Sequence, residues 1–231
     1  MWDGQLALAN GGWRVIAPHF RGVDGGTSDP PVTSLEDYAG DVIDLLDALH
    51  IKQAVIAGLS LGGYAAFAML RHAASYFQGL ILADTRPEAD TPEGVEGRRK
   101  MLELVQAKGP AAVAQEMIPK LLGETTRQTR PEVVDRVRSL VLSNSADAIA
   151  GAVRALMTRP DSTHLLSTIH FPTLILVGDE DTVTPPSVAG KMQASISGSE
   201  LTVITGAGHL SNLEQPEAFN GALARFLAHR L

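Results

Sequence analysis

The pattern G-L-S-L-G at residues 58–62 constrains this chain most, because it joins an apolar, strand-like run to a small-residue, helix-compatible run. A strand-turn-helix context of this kind predicts a sharp turn that strains Ser60 toward positive φ and exposes its hydroxyl at the edge of a sheet. We expect Gly58 and Gly62 to be glycines because a Cβ would collide across the turn. The helix that follows aims backbone N–H groups, that of Leu61 first, at a developing oxyanion. The pattern therefore predicts a nucleophilic serine, the alternative being an ordinary Gly-Ser loop.

A serine nucleophile needs a histidine base and an acid that orients it. The β-rich run at residues 173–177 ends in a glycine and a group of carboxylates, which places acids at the carboxyl end of a buried strand. The three carboxylates are Asp179, Glu180 and Asp181. A second strand-like run, residues 201–204, leads into the glycine loop 206–208 and then His209, which we predict to be the base.

Together these motifs resemble the α/β-hydrolase family, in particular small bacterial esterases and enol-lactonases, over nearly the whole chain. The segments that carry the resemblance are residues 14–18, 58–63, 178–185 and 206–219. The resemblance implies that Asp181 is the acid and His209 the base, with Asp179 and Glu180 as solvated or hydrogen-bonded neighbours. Asp84 follows another apolar run, and some hydrolases draw their acid from that earlier strand. Its alternative role is to cap a loop.

One departure from the family pattern concerns the second oxyanion donor. The family has strands upstream of the segment that begins this chain, and the last of them leads into a His-Gly loop whose backbone supplies that donor. We expect this chain to lack that loop and a strand between those predicted at residues 13–18 and 53–57. The glycine-rich loop at residues 22–26 is a candidate substitute donor, the alternative being a plain turn.

The order of apolar patterns predicts an α/β fold. Residues 1–85 and 169–231 alternate strand and helix patterns, which favours a mostly parallel sheet with helices on both faces. Residues 86–168 carry helical periodicity with Gly and Pro breaks, and we predict that they form an inserted helical cap over the active site. Met117 and Met157 are candidates for lining an apolar substrate pocket, since thioether side chains repack easily. The alternative is that they pack the cap.

Composition narrows the partners. The net charge of −7 and the lack of a basic patch argue against a nucleic-acid partner. No stretch approaches a membrane span, and the absence of cysteine is compatible with a reducing compartment. We expect a cytoplasmic enzyme that needs no metal and no cofactor, acts on a small molecule and has no membrane partner, with the oligomeric state open.

These features predict a serine hydrolase that cleaves a carboxylic ester or a lactone through an acyl-enzyme on Ser60. The serine itself argues against the aspartate nucleophile of related dehalogenases and epoxide hydrolases. C–C bond hydrolases and cofactor-free perhydrolases share the same triad and stay open as alternatives. A different class of alternative is a catalytically weak or inactive ligand-binding protein, or a truncated homologue, since loss of one oxyanion donor lowers the rate by about a hundred- to a thousandfold.

Overall fold

A parallel sheet forms the centre of the computed structural model, which describes residues 1–23, 25 and 31–231. Within these residues the sheet has four strands: β1 (Ala54–Leu59), β2 (Phe77–Ala83), β3 (Thr173–Gly178) and β4 (Glu200–Ile204). The spatial order is β1-β2-β3-β4 and every neighbouring pair is parallel. Because parallel strands run in the same direction, their carboxyl ends lie at one edge of the sheet.

Helices cover both faces of this sheet. They are α1 (Leu35–Ala48), α2 (Leu61–Ala73), α3 (Pro92–Leu121), α4 (Glu124–Thr129), α5 (Pro131–Leu142), α6 (Ala146–Met157), α7 (Pro186–Ser195), α8 (Ser211–Glu214) and α9 (Pro216–Arg230). Leu80 and Leu82 of β2 face one core cluster, which contains residues of α1, α2 and α7. Ile81 and Ala83 face the other cluster, which contains residues of α9. This alternation follows from the two-residue period of a strand, and it confirms the predicted fold class.

Local sequence explains where several helices begin. Ser34 accepts a hydrogen bond from the Asp37 N–H while the Asp37 side chain accepts one from the Ser34 N–H, a reciprocal capping box at the start of α1. Proline occupies the first position of α3, α5, α7 and α9. The N–H of a first helical residue makes no intrahelical hydrogen bond, so proline, which has no N–H, costs the helix nothing there.

A helical block, α3 to α6, connects β2 to β3. The described residues between 86 and 168 contain helices and no strand. α3 bends at Gly109, which has φ +72°, and packs against α5 and α6. Val105, Val113 and Ala150 form a small apolar cluster inside this block.

The strand predicted at residues 13–18 is wrong. These residues are within the described part of the chain and form neither strand nor helix, and Ile16 is 39% exposed. A strand is stabilised by hydrogen bonds to a neighbouring strand. Among the residues that the structure describes, β1 pairs only with β2 and so forms an edge of the sheet. The preceding segment Asp3–Gly11 is a 3₁₀ helix that lies against α9.

No single helix among the residues that the structure describes is both long and apolar enough to cross a membrane. α5 and α6 meet that length and composition only as a pair, and they are bent by 94° relative to each other.

Candidate active site

Ser60 occupies the tight turn between β1 and α2. It precedes the first residue of α2 and has φ +50° and ψ −112°, a conformation that is strained for a residue with a side chain. Its backbone N–H donates to the Ala83 carbonyl at the end of β2, at 2.9 Å. The sheet edge therefore holds the serine in the strained geometry that the sequence pattern predicts.

Of the two glycines predicted to avoid a collision in this turn, Gly58 does so and Gly62 does not. A Cβ on Gly58 would lie 2.5 Å from the Gly63 nitrogen and would also collide with the Gly62 carbonyl, so Gly58 is required as predicted. A Cβ on Gly62 would have no neighbour within 4 Å, and the expectation that Gly62 avoids a collision is wrong. The second close approach is at Gly63, where a Cβ would lie 2.7 Å from the Cβ of Thr85. α2 therefore packs closely against Thr85 at Gly63, whereas the space beside Gly62 is open.

Ser60, His209 and Asp181 form a continuous hydrogen-bonded chain. Ser60 Oγ lies 2.8 Å from His209 Nε2, and His209 Nδ1 lies 2.8 Å from Asp181 Oδ2. His209 and Asp181 are buried, whereas Ser60 is partly exposed. Ser60 follows β1, Asp181 follows β3 and His209 follows β4, so the carboxyl ends of three parallel strands bring the three residues together.

The carboxylate of Asp181 is held by its own loop as well as by His209. Its Oδ1 accepts from the backbone N–H groups of Val183 at 2.8 Å and Thr184 at 2.9 Å, and its Oδ2 accepts from Thr184 Oγ1 at 2.6 Å. Burial alone would raise the pKa of Asp181, but the hydrogen bond and charge of His209, together with the Thr184 donors, outweigh it. The pKa of Asp181 is therefore below the usual aspartate value, and this group stays ionised beside the imidazole.

Asp84, the competing acid, points elsewhere. It is fully buried with φ +44°, and it accepts hydrogen bonds from the Gly178 N–H at 2.9 Å and from the N–H and hydroxyl of Ser211. Burial raises the pKa of Asp84 well above the usual range, and the nearby charge of Asp181 adds to the rise. Asp84 therefore joins the end of β3 to the start of α8, while Asp181 contacts the imidazole.

The two other carboxylates of the 179–181 group are hydrogen-bonded neighbours. Asp179 is exposed and accepts from the Gly206 N–H at 2.8 Å. Glu180 accepts from the N–H of Thr125 at 2.9 Å and from its hydroxyl. Neither carboxylate has a hydrogen bond to His209 in the described part of the chain.

Leu61 is the residue predicted to supply an oxyanion donor. It is the first residue of α2, a position at which the backbone N–H has no acceptor within the helix. The substitute donor predicted from the loop at residues 22–26 involves Asp24 and Gly26, which lie outside the described residues.

The two methionines are both half-buried. Met117 packs against the cluster of Val105, Val113 and Ala150 inside the helical block, which favours the packing alternative for this residue. Met157 is the last residue of α6. A role for either side chain in lining a substrate pocket stays a prediction.

Three residues of the site have no counterpart in the sequence reasoning. The Thr184 hydroxyl contacts both Asp181 Oδ2 and, at 3.2 Å, His209 Nδ1. The Thr85 hydroxyl donates to the Ser60 carbonyl at 2.9 Å. Glu214 is buried and accepts hydrogen bonds from the backbone on both sides of His209. A partial signal exists for Thr184, because an Asp side chain commonly bonds to the backbone two residues further on, and this turn brings the next residue, Thr184, close to the Asp181 carboxylate.

Comparison with known proteins gives one family. The model of the alpha/beta hydrolase family matches residues 1–222. The chain is 32% identical over 220 residues to 3-oxoadipate enol-lactonase 1 of Acinetobacter baylyi, an alignment that covers 95% of this chain and 80% of that protein.

Solved structures agree with this match. A thermophilic esterase from Thermogutta terrifontis, solved with malate bound, is 39% identical with a TM-score of 0.94, over 98% of this chain and 84% of that one. A hydrolase from Pseudomonas aeruginosa is 32% identical with a TM-score of 0.87, over 98% of this chain and 84% of its own.

Proposed function

Because the chain belongs to the α/β-hydrolase family, we propose that it is a serine hydrolase that cleaves a carboxylic ester or a lactone through an acyl-enzyme on Ser60. The observation that carries this proposal is the hydrogen-bonded chain from Ser60 Oγ through His209 to Asp181. A nucleophile, a base and an orienting acid in this order are the requirements for serine acyl transfer.

Acylation begins when Ser60 Oγ attacks the substrate carbonyl carbon and His209 Nε2 takes the hydroxyl proton. Asp181 keeps the hydrogen of the imidazole on Nδ1 and stabilises the imidazolium that forms. The negative charge moves to the carbonyl oxygen, which accepts a hydrogen bond from the Leu61 N–H. The tetrahedral intermediate then collapses, the C–O bond to the alcohol breaks, and His209 returns its proton to the leaving alcohol.

Deacylation repeats these steps with water as the nucleophile. His209 takes a proton from a water molecule as its oxygen attacks the acyl carbon, and the bond to Ser60 Oγ breaks as the proton passes back to the serine. In a lactone the alcohol formed in the first step is part of the acyl chain, so it stays on that chain and leaves with it when the bond to Ser60 Oγ breaks. The product of an ester is an acid and an alcohol, and the product of a lactone is one hydroxy acid.

The names of the relatives support this substrate class. One is an enol-lactonase and another an esterase, both more than 30% identical to this chain. The hydrolysis of C–O bonds next to a carbonyl is common to both, and the same triad serves an open-chain ester and a cyclic one.

We assign the helical block a role as a cap over the site, with residues 1–85 and 169–231 as the catalytic core. The backbone carbonyl of Leu121, the last residue of α3, accepts a hydrogen bond from the His209 N–H at 2.9 Å. The block therefore contacts the residue proposed as the base, which supports a role in shaping access to Ser60.

The test is covalent labelling. A fluorophosphonate reagent should modify the wild-type protein at Ser60, identified by peptide mass spectrometry, and Ser60→Ala should lose both the labelling and the hydrolysis of short p-nitrophenyl esters and of a simple lactone. Ser195→Ala is the matched control, because Ser195 is an exposed serine at the end of α7. Labelling at another serine, or ester hydrolysis that survives Ser60→Ala, would overturn the proposal.

A further inference from the structure

Glu214 holds the loop that carries His209. It is the last residue of α8, five positions after the histidine, and its exposed fraction is 0%. Its Oε1 accepts from the Gly208 N–H at 2.9 Å and from the Leu210 N–H at 3.1 Å. These are the N–H groups on either side of His209, so one carboxylate oxygen fixes the backbone from which the imidazole projects.

The other oxygen of the same carboxylate reaches the cap. Glu214 Oε2 accepts from the Gly123 N–H at 2.8 Å, and Gly123 lies between α3 and α4. Arg130, at the start of α5, also donates to the backbone carbonyl of Glu214. Glu214 is thus bonded to the cap on one side and to the histidine loop on the other.

The two segments that Glu214 joins are in direct backbone contact. A Cβ on Gly208 would lie 2.8 Å from the Leu122 carbonyl carbon, and a Cβ on Gly123 would lie 2.9 Å from the Gly208 nitrogen. The His209 N–H donates to the Leu121 carbonyl at 2.9 Å. Only glycines permit this approach, and it puts the connection between α3 and α4 directly against the backbone of the histidine.

We propose that Glu214 is a positioning residue that couples the cap to His209, so that the distance from the imidazole to Ser60 depends on how residues 121–123 of the cap lie against the histidine loop. The inference rests on the proposed function, in which His209 activates Ser60. The hydrogen bond between His209 Nε2 and Ser60 Oγ is 2.8 Å long, and misplacement by about 1 Å of a group that must meet its partner lowers the rate by up to about a hundredfold.

The division of labour between the two carboxylate oxygens gives a selective variant. In Glu214→Gln the amide oxygen can still accept from Gly208 and Leu210, but the amide nitrogen then faces the Gly123 N–H, donor against donor. The opposite orientation is worse, because the nitrogen would face two N–H groups. Glu214→Gln therefore breaks the link to the cap and keeps the link to the histidine loop, whereas Glu214→Ala removes both.

The rate of fluorophosphonate labelling of Ser60 is the readout, measured on folded protein together with kcat, KM and the pH profile of kcat/KM. We expect the labelling rate and kcat to fall together, further for Glu214→Ala than for Glu214→Gln, by up to about a hundredfold. Gly123→Ala provides a second route that keeps Glu214, because the added Cβ would collide with the Gly208 backbone nitrogen and with the Glu180 side chain and so force the cap away from the histidine loop. It should lower the labelling rate in the same way and keeps the test valid if a Glu214 variant does not fold.

Glu180→Gln is the matched control. The Glu180 carboxylate also bonds to the cap, through the N–H and hydroxyl of Thr125. Its one link to the histidine loop among the described residues is from the backbone N–H to the Ala207 carbonyl, which Glu180→Gln leaves unchanged. This variant should label at the wild-type rate. A Glu214→Gln protein with lowered melting temperature but wild-type labelling rate and pH profile would show a purely structural role and overturn the inference, as would an equal loss in Glu180→Gln. If wild-type Ser60 is not labelled at all, the proposed function fails instead.

Discussion

Replacing Asp181 with asparagine tests how the proposed acid controls the tautomer of His209. Asp181 Oδ1 accepts from two backbone N–H groups, of Val183 and Thr184, and Oδ2 faces His209 Nδ1 and the Thr184 hydroxyl. An asparagine has one acceptor oxygen. With its nitrogen at the Oδ1 position, two buried backbone donors would lose their acceptor, at about 1–3 kcal/mol each. The nitrogen therefore takes the Oδ2 position, where the Thr184 hydroxyl can turn to accept from it.

In that orientation the asparagine N–H donates to His209 Nδ1, and the hydrogen of the neutral imidazole must lie on Nε2. Nε2 then has no lone pair with which to take the proton of Ser60, whose oxygen is 2.8 Å away. We expect kcat to fall by about four orders of magnitude, the size of this effect in serine triads, which corresponds to about 5 kcal/mol in the activation barrier. The assay is p-nitrophenyl ester hydrolysis, with far-UV circular dichroism and melting to verify that the variant folds.

Asp179→Asn and Asp84→Asn are the controls for this prediction. Asp179→Asn makes the same chemical change two residues away, at an exposed side chain that accepts a hydrogen bond from the Gly206 N–H. Asp84 is buried but bonds to Gly178 and Ser211 and not to the imidazole. Both variants should keep far more activity than Asp181→Asn. A folded Asp181→Asn enzyme with near wild-type kcat, or a larger loss in Asp84→Asn, would refute the tautomer argument.

Two further predictions concern stability. Burial raises the pKa of Asp84 in the folded protein. At a pH between the ordinary pKa and the raised one, the folded state keeps a proton that the unfolded state releases. The free energy of unfolding therefore falls as the pH rises through this range. Asparagine cannot ionise. The melting temperature of Asp84→Asn minus that of the wild type should therefore grow as the pH rises above about 4, the ordinary pKa of an aspartate; a difference that does not change with pH contradicts this. Gly58→Ala should be strongly destabilised, because the added Cβ collides with Gly62. Gly62→Ala adds a Cβ in open space on a helix, where alanine has the higher helix propensity. It should raise the free energy of unfolding by up to about 1 kcal/mol and melt at the same or a higher temperature. The reverse order of the two melting temperatures would contradict the account of the turn.

The sequence was sufficient for the geometry of Ser60, Asp181 and His209 because each is marked by its own local pattern. Each follows an apolar run that forms a parallel strand, and parallel strands deliver their carboxyl ends to one edge whatever the rest of the chain does. The helical block could be predicted equally well, since helical periodicity and Gly or Pro breaks are local signals in the sequence. Element type and order follow from such patterns with little knowledge of long-range contacts.

Features that depend on a distant part of the chain could not be predicted from local sequence patterns. Residues 13–18 have a strand-like composition, but a strand exists only where another strand lies beside it, and composition does not reveal whether it does. The second glycine of the turn was misassigned for a similar reason. Whether Gly62 or Gly63 has no room for a Cβ depends on Thr85, more than 20 residues further along the chain.

The buried carboxylates near His209 show why residue type alone does not give the role of a residue. Asp181, Asp84 and Glu214 are all almost completely buried close to the carboxyl ends of the strands. Asp181 has an imidazole partner, and its pKa is lowered. Asp84 meets only neutral donors, so burial dominates and its pKa rises. Glu214 accepts from three backbone N–H groups that come from two different parts of the chain. Because these donors are assembled by the tertiary fold, the sequence identifies Asp181 and Asp84 as candidate acids but gives no signal for Glu214. The fold then shows that Asp181 contacts the imidazole, that Asp84 joins the end of β3 to the start of α8, and that Glu214 bonds both to the connection between α3 and α4 and to the histidine loop.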